Sequence, residues 1–175
     1  FDTGKIFLDE MGIPASRLNE INRVVIIACG TSYHAGLLGK YFIENLAEIP
    51  VDVVYASEYR YSDFILDKDS LVLVISQSGE TADSLAAMRA VKGKGALTLA
   101  ICNVVNSSIA READGVLYTH AGPEIGVAAT KTFSTQMAAL ALLAIHLGQN
   151  RDKLDQKESL ALVQDLQRIP HKLEI

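Results

Sequence analysis

The sequence predicts a three-layer α/β fold: a doubly wound sheet of about five parallel strands with helices on both faces. Short apolar runs rich in β-branched residues alternate along the chain with longer segments of helical period. The short runs are continuously apolar instead of alternating, which marks strands covered on both faces and hence a parallel sheet. The strand–helix–strand repeat then implies right-handed crossovers. A length of 175 residues suits one domain with a substantial core.

The elements follow in order. Helices are expected ahead of the first strand, over Ile6–Met11 and Ala15–Ile21. Arg23–Cys29 (RVVIIAC) is the first strand. The helix Ser32–Glu48 places Leu38, Phe42 and Leu46 one turn apart, as a stripe facing the sheet. Val51–Ala56 is a second, shorter strand, and the aromatic stretch Tyr55–Tyr61 reads as a helix start packing on the sheet or a partner. Ser70–Ser76 is the third strand, followed by the helix Ala82–Lys92 with Leu85, Met88 and Val91 on one side. Gly93-Lys94-Gly95 ends that helix with glycine just past the last turn. Ala96–Cys102 is the fourth strand, Ser107–Glu112 a short helix and Gly115–His120 a weaker fifth strand. Thr130–Leu147 is a long helix, apolar on most faces, and Asp152–Ile169 a terminal helix with Leu162 and Leu166 a turn apart. The expected division is one domain, 1–175, with N-terminal helices 1–22, an α/β core 23–148, a C-terminal helix 152–173 and a linker after Leu173.

Composition narrows the function classes. The net charge is −5 and no Lys/Arg cluster offers a phosphate-tracking patch, which argues against nucleic acid. No apolar run approaches 18 residues, and Met137–Leu147 is too short to span a bilayer. The start, Phe1-Asp2-Thr3-Gly4-Lys5, lacks the features of a signal peptide, and a first residue other than Met points to a segment of a longer chain. Cys29 and Cys102 show no CxxC or His/Cys spacing, so no metal or cofactor is expected and a reduced, cytoplasmic compartment is the default. The apolar girth of Thr130–Leu147 predicts a homodimer, unless that helix is buried within the subunit.

In doubly wound sheets ligands bind beyond the carboxyl ends of the strands, where strand order reverses. The expected flavodoxin-like order 2-1-3-4-5 makes the first and third strands neighbours. Their loops are Cys29-Gly30-Thr31-Ser32 and Ser76-Gln77-Ser78-Gly79-Glu80-Thr81. The second packs three hydroxyls and a glycine into six residues between strand and helix, with Thr81 placed to cap the helix. Hydroxyl donors at a helix N-terminus form an anion site without lysine, and a phosphate monoester is the natural guest. The competing reading is a capped turn whose hydroxyls only satisfy backbone. The first loop repeats the layout, which two turns alone explain poorly. No GxxxxGK[ST] or GxGxxG is present, so neither a nucleotide P-loop nor a dinucleotide site is expected.

Thr119–Thr135 is a third unusual stretch, in which Gly122, Pro123 and Gly126 hold a loop and Glu124 and Lys131 bracket the start of a helix. It could close over a sugar, or be a loop with a Thr130 or Thr132 cap and a surface ion pair. Cys29 and His34 are a candidate thiol and base, but a cysteine ending an apolar strand is more often a small buried hydrophobe. His120 and His146 read as structural or surface residues.

ACGTSYHAG (Ala28–Gly36), SQSGETADSL (Ser76–Leu85), CNVVNSS (Cys102–Ser108) and EIGVAATKTF (Glu124–Phe133) together resemble the isomerase region of the glucosamine-6-phosphate synthase family, the glutamine–fructose-6-phosphate aminotransferases. The resemblance implies a sugar isomerase (SIS) domain, the first of two in tandem behind a glutaminase domain. That family makes glucosamine 6-phosphate from fructose 6-phosphate and ammonia released from glutamine. By motif match, Ser76, Gln77, Ser78 and Thr81 bind the phosphate with Thr31 beside them, and Gly30, Ser32, Val127 and Ala128 line the sugar. The family commonly has Ser where this chain has Ala129, which leaves a hydroxyl contact there open.

The resemblance also implies what is missing. The family's proton-transfer glutamate, ring-opening histidine and Schiff-base lysine lie in the second SIS domain, the partner subunit and the C-terminal tail, outside these residues. The chain is then a binding half-site with no catalytic residue of its own. A non-catalytic sugar-phosphate sensor of a regulatory protein is the alternative, and EIGVAATKTF separates the two. A stand-alone phosphosugar isomerase would need acid/base residues within the chain, for which Glu124 is the only candidate.

Overall fold

The computed structural model describes residues 3–59, 61–62 and 65–173. Its core is one five-stranded sheet in the order β2-β1-β3-β4-β5. The strands are β1 (Arg23–Ala28), β2 (Val51–Tyr55), β3 (Ser70–Ser76), β4 (Leu97–Cys102) and β5 (Gly115–Tyr118), and every pairing is parallel. The helices are α1 (Ala15–Asn19), α2 (Gly30–Ala47), α3 (Ala56–Tyr59), α4 (Ala82–Lys92), α5 (Ser108–Glu112), α6 (Lys131–Asn150) and α7 (Gln156–Leu173).

Alternate residues of the same strands feed two cores. Val24, Ile26, Leu71, Leu73, Ile75, Leu99 and Ile101 face a layer that includes Ile43 of α2 and Leu140, Leu143 and Leu147 of α6. Val25, Ile27, Val72, Val74 and Ala100 face the opposite layer, with Tyr59 of α3, Met88 and Val91 of α4 and Ile109 of α5. All seven residues of β3 are buried, as the central strand of a sheet covered on both sides must be.

Several local expectations fail, each for an identifiable reason. Ile6–Met11 is not an α-helix, and only a 3₁₀ turn at Asp9–Met11 forms. Side chains of α6 take its backbone groups instead: Ile6 N–H donates to Gln149 Oε1 at 3.0 Å, and Ile6 O meets His146 Nδ1 at 2.9 Å. The expected stripe on α2 holds only in part: Phe42 and Leu46 are half-buried against the core, but Leu38 remains 41% exposed. The buried face is Ser32, Ala35, Gly36, Gly39, Ile43 and Ala47. Small residues there let the helix backbone approach closely; a Cβ on Gly39 would sit 2.7 Å from Leu140 Cδ2. Gly93 stays helical at φ −63°, and it is Gly95, at φ +81°, that turns the chain toward β4.

The long apolar helix α6 is central within the subunit. One side joins the core beside α2, and Ile145 packs with Ile6 and with Val163 of α7, where Leu162 and Leu166 lie alongside. Its apolar girth is thereby consumed inside the chain, and the argument for a homodimer loses that premise. The terminal helix starts at Gln156, not Asp152, because Asp155 and Glu158 form a reciprocal cap. Glu158 N–H donates to Asp155 Oδ1 at 2.7 Å and Asp155 N–H to Glu158 Oε2 at 3.3 Å. In the aromatic stretch, Tyr59 is buried against the sheet and Tyr55 stacks on Tyr33 at 3.7 Å, while Arg60 lies outside the described residues. The expected linker after Leu173 lies outside them as well.

Candidate functional site

The register sets Ala28 of β1 opposite Ile75 of β3, so the two strands end side by side where the strand order reverses. Each end runs directly into a helix, β1 into α2 and β3 through residues 77–81 into α4. The first-turn amides of a helix have no internal partner and carry the positive end of its dipole. A cleft of about 200 Å³ opens there, lined by both loops and by Glu124, Gly126, Val127 and Ala129 from the segment before α6. Among the described residues, no lysine or arginine lines it. Hydroxyls, amides and helix N-termini of this kind suit an anion without a basic side chain.

The loop after β3 is braced from within. Ser76 is buried, and its Oγ accepts Gly79 N–H at 3.0 Å and shares a hydrogen bond of 3.0 Å with Thr81 Oγ1. Thr81 occupies the N-cap position of α4 but makes no side-chain cap bond, because its hydroxyl is turned to Ser76. Ser78 Oγ accepts Glu80 N–H at 3.1 Å, which leaves the hydroxyl hydrogen free to donate. Outward braces tie the loop to the start of α5. Glu80 Oε1 accepts Ser108 N–H at 2.7 Å, and Gly79 O accepts Ile109 N–H at 3.0 Å. The bond from the Ser108 backbone is also what holds the Glu80 carboxyl below its ordinary range.

The third side of the cleft depends on two residues to which sequence reasoning gave no structural role. Asn103, after β4, clamps the loop ahead of α6. Its Oδ1 accepts Thr119 Oγ1–H at 3.1 Å and Ala121 N–H at 2.8 Å, and its Nδ2 donates to Gly122 O at 2.8 Å. Gln136, one turn beyond Thr132 on α6, donates from Nε2 to Ser32 Oγ at 3.0 Å. Neither carries a local signal in the sequence, since both bonds span long stretches of chain.

Glu124 proves to be the cap of α6. Its Oε2 accepts Thr130 N–H at 3.2 Å, Thr132 N–H at 3.3 Å and Thr132 Oγ1–H at 3.2 Å. The Thr132 backbone bond, followed by the Thr130 bond and the Thr132 hydroxyl, holds its carboxyl below the usual range despite the opposing effect of desolvation. A general acid or base works best with a pKa near the working pH, so this environment does not prepare Glu124 for proton transfer.

The cleft gathers Gly30, Thr31, Ser32, Ser76, Gln77, Ser78, Thr81 and Val127 of the residues singled out in the sequence. Ala128 is exposed and does not line it; its neighbour Ala129 does. Cys29 lines the cleft, His34 is exposed beside Tyr33, and no hydrogen bond joins the two among the described residues. Cys102 is buried, and burial pushes its thiol up to about 11. Among the described residues no group of three or more His, Cys, Asp or Glu gathers in a metal-holding arrangement. A larger hollow of about 500 Å³ lies between the N-terminal segment and α7, lined by residues such as Phe7, Gln149 and Leu154. It contains none of the strand-end loops.

Known proteins resemble the chain along nearly its whole length. The chain is 54% identical over 169 residues to a glutamine–fructose-6-phosphate aminotransferase [isomerizing] of Clostridium tetani, covering 97% of this chain and 28% of that protein. It is 51% identical over 172 residues to the enzyme of the same description from Streptomyces coelicolor, covering 98% of this chain. The chain thus spans 28% of the length of each relative. The solved C-terminal domain of glucosamine-fructose-6-phosphate aminotransferase from Francisella tularensis superposes with a TM-score of 0.91 at 40% identity, over 97% of this chain and 48% of that one. Residues 17–146, from α1 through most of α6, match the SIS domain, and the chain belongs to the SIS domain family.

Proposed function

We propose that the chain is the sugar-phosphate-binding half-site of an isomerizing glutamine–fructose-6-phosphate aminotransferase, taking fructose 6-phosphate and releasing glucosamine 6-phosphate as part of a longer enzyme. The observation that carries this reading is the cleft at the ends of β1 and β3, where two helix N-termini and the hydroxyl-bearing loops meet with no basic side chain among the described residues. Ser78, Thr81, Gln77 and Thr31 hold the phosphate. Ser76 contributes through the loop it braces. Gly30, Ser32 and Val127 lie along the sugar, with Ala129 in place of Ala128. Relatives that are themselves isomerizing aminotransferases support this over a regulatory sensor.

In the parent enzyme the chain joins a second SIS domain and a glutaminase domain, with residues 1–175 forming one unit. The reading includes a homodimer, supported by the outer face of α2, where Leu37, Leu38 and Tyr41 are exposed. A cytoplasmic setting fits two free cysteines. No helix among the described residues is long and apolar enough to cross a membrane.

The test is titration calorimetry with fructose 6-phosphate. Hydrogen bonds to a charged group are worth about 1.5–3 kcal/mol each. Ser78→Ala is therefore expected to weaken binding by roughly ten- to a hundredfold. Unchanged affinity in the variant would sink the phosphate assignment.

A further inference from the structure

We infer that Gln136, a residue outside the cleft lining, sets Ser32 as a hydrogen-bond donor to the bound sugar phosphate. The inference rests on the reading of the cleft given above. Ser32 lines the cleft from the first turn of α2, yet the residue is only 6% exposed. Its hydroxyl orientation is thus decided by what lies behind it. Behind it is Gln136, 2% exposed, reaching across from α6.

Gln136 Nε2 donates to Ser32 Oγ at 3.0 Å, while Gln136 Oε1 is buried without a partner. The direction of this bond is what a carboxylate at the same position would reverse, since it can only accept. An amide N–H only donates, so Ser32 Oγ must accept from it. The Ser32 hydrogen then has no role toward Gln136. Among the described residues no other acceptor takes it, and the cleft is where it can be used. A hydroxyl already accepting one hydrogen bond is also the stronger donor of the next.

The buried, unpartnered Oε1 is a standing cost to the fold. An apolar residue of similar length would avoid it. Gln136 keeps that oxygen buried while its Nε2 holds Ser32 Oγ. Gln136 is accordingly a positioning residue. It touches Ser32, and Ser32 touches the ligand.

The experiment is a double-mutant cycle on this chain, with fructose 6-phosphate affinity read by calorimetry and Tm by circular dichroism. Gln136→Met keeps the volume and removes both polar atoms. It is expected to weaken binding about tenfold, as is Ser32→Ala. Tm for Gln136→Met should stay at or above that of the unsubstituted chain. The double variant should bind no more weakly than Ser32→Ala alone, because Gln136 acts through Ser32. Gln136→Glu supplies a carboxylate that only accepts, so it should turn the Ser32 hydrogen inward and weaken binding further, by roughly a hundredfold.

Additive losses in the double variant would overturn the inference. So would unchanged affinity in Gln136→Met or Ser32→Ala, an unchanged Gln136→Glu, or a clear fall in Tm for Gln136→Met. In each of those cases the sugar-phosphate reading stands, because the unsubstituted chain still binds. If the unsubstituted chain does not bind fructose 6-phosphate, the site reading fails and this inference with it.

Discussion

Gly79 is the residue on which the loop after β3 turns. Its φ of +65° is a left-handed conformation, and a Cβ there would lie 1.9 Å from Ser107 Oγ and 2.4 Å from Ser107 Cβ. Glycine is needed twice over, for conformation and for close approach to the start of α5. Gly79→Ala drives a Cβ into Ser107 and is expected to displace the start of α5, whose Ile109 N–H is donated to Gly79 O. We expect it to destabilise the chain by about 1–3 kcal/mol and to weaken fructose 6-phosphate binding more than Ser78→Ala does. Gly95→Ala is the control, since Gly95 has a φ of +81° with nothing within 4 Å of its missing Cβ. Melting curves should show the larger drop for Gly79→Ala. Equal drops would mean that backbone strain alone matters and that the loop does not lean on Ser107.

At the scale of elements, the entry to α6 is held by a carboxylate six to eight residues upstream. Glu124 caps the helix through the bonds to Thr130 and Thr132. Those bonds depress its folded-state pKa, so its contribution to stability is present above the unfolded value of about 4.3. That contribution is lost as the pH falls through the folded value. Glu124→Gln keeps the shape but has no charge to lose. We expect the unsubstituted chain to be the more stable of the two near neutral pH and to lose that advantage as the solution is acidified. Thermal melts across the acid range would show the two curves converging; parallel curves would rule out an ionised cap. The α2 helix teaches a related lesson. Its fully buried face is mostly small, with Ala35, Gly36, Gly39 and Ala47 beside Ile43, because it is wedged between the sheet and α6.

For the whole molecule, grip and chemistry are separable. The cleft holds hydroxyls and amides, and the one carboxylate that lines it among the described residues, Glu124, is committed to a helix end. Binding a substrate in its ground state leaves the reaction barrier in place. Acid–base help of roughly 10²–10⁴-fold requires groups placed for it. The isolated chain should therefore bind fructose 6-phosphate without converting it. The assay is to look for glucose 6-phosphate, then to add an ammonium salt and look for glucosamine 6-phosphate. Turnover well above the uncatalysed rate would overturn the half-site reading and make Glu124 the first residue to replace. Light scattering at high micromolar concentration tests the homodimer, and a monomer there would remove α2 as a pairing face.

Read alone, the sequence was sufficient for the five parallel strands, their order and the two hydroxyl loops at the switch point. Continuous apolar strands and helical spacing are local patterns, and the topology rules acting on them leave few alternatives. It misjudged Ile6–Met11, the buried face of α2, the cap of α6 and the start of α7, and it saw no role for Asn103 or Gln136. Tertiary structure decided these, because each turns on a partner elsewhere. The backbone at Ile6 follows side chains of α6, and the face of α2 follows the space left by Leu140. Ser32 accepts a hydrogen bond from a glutamine 104 residues away. Periodicity reports which residues can be buried; only packing selects the neighbours that claim their hydrogen bonds and volume.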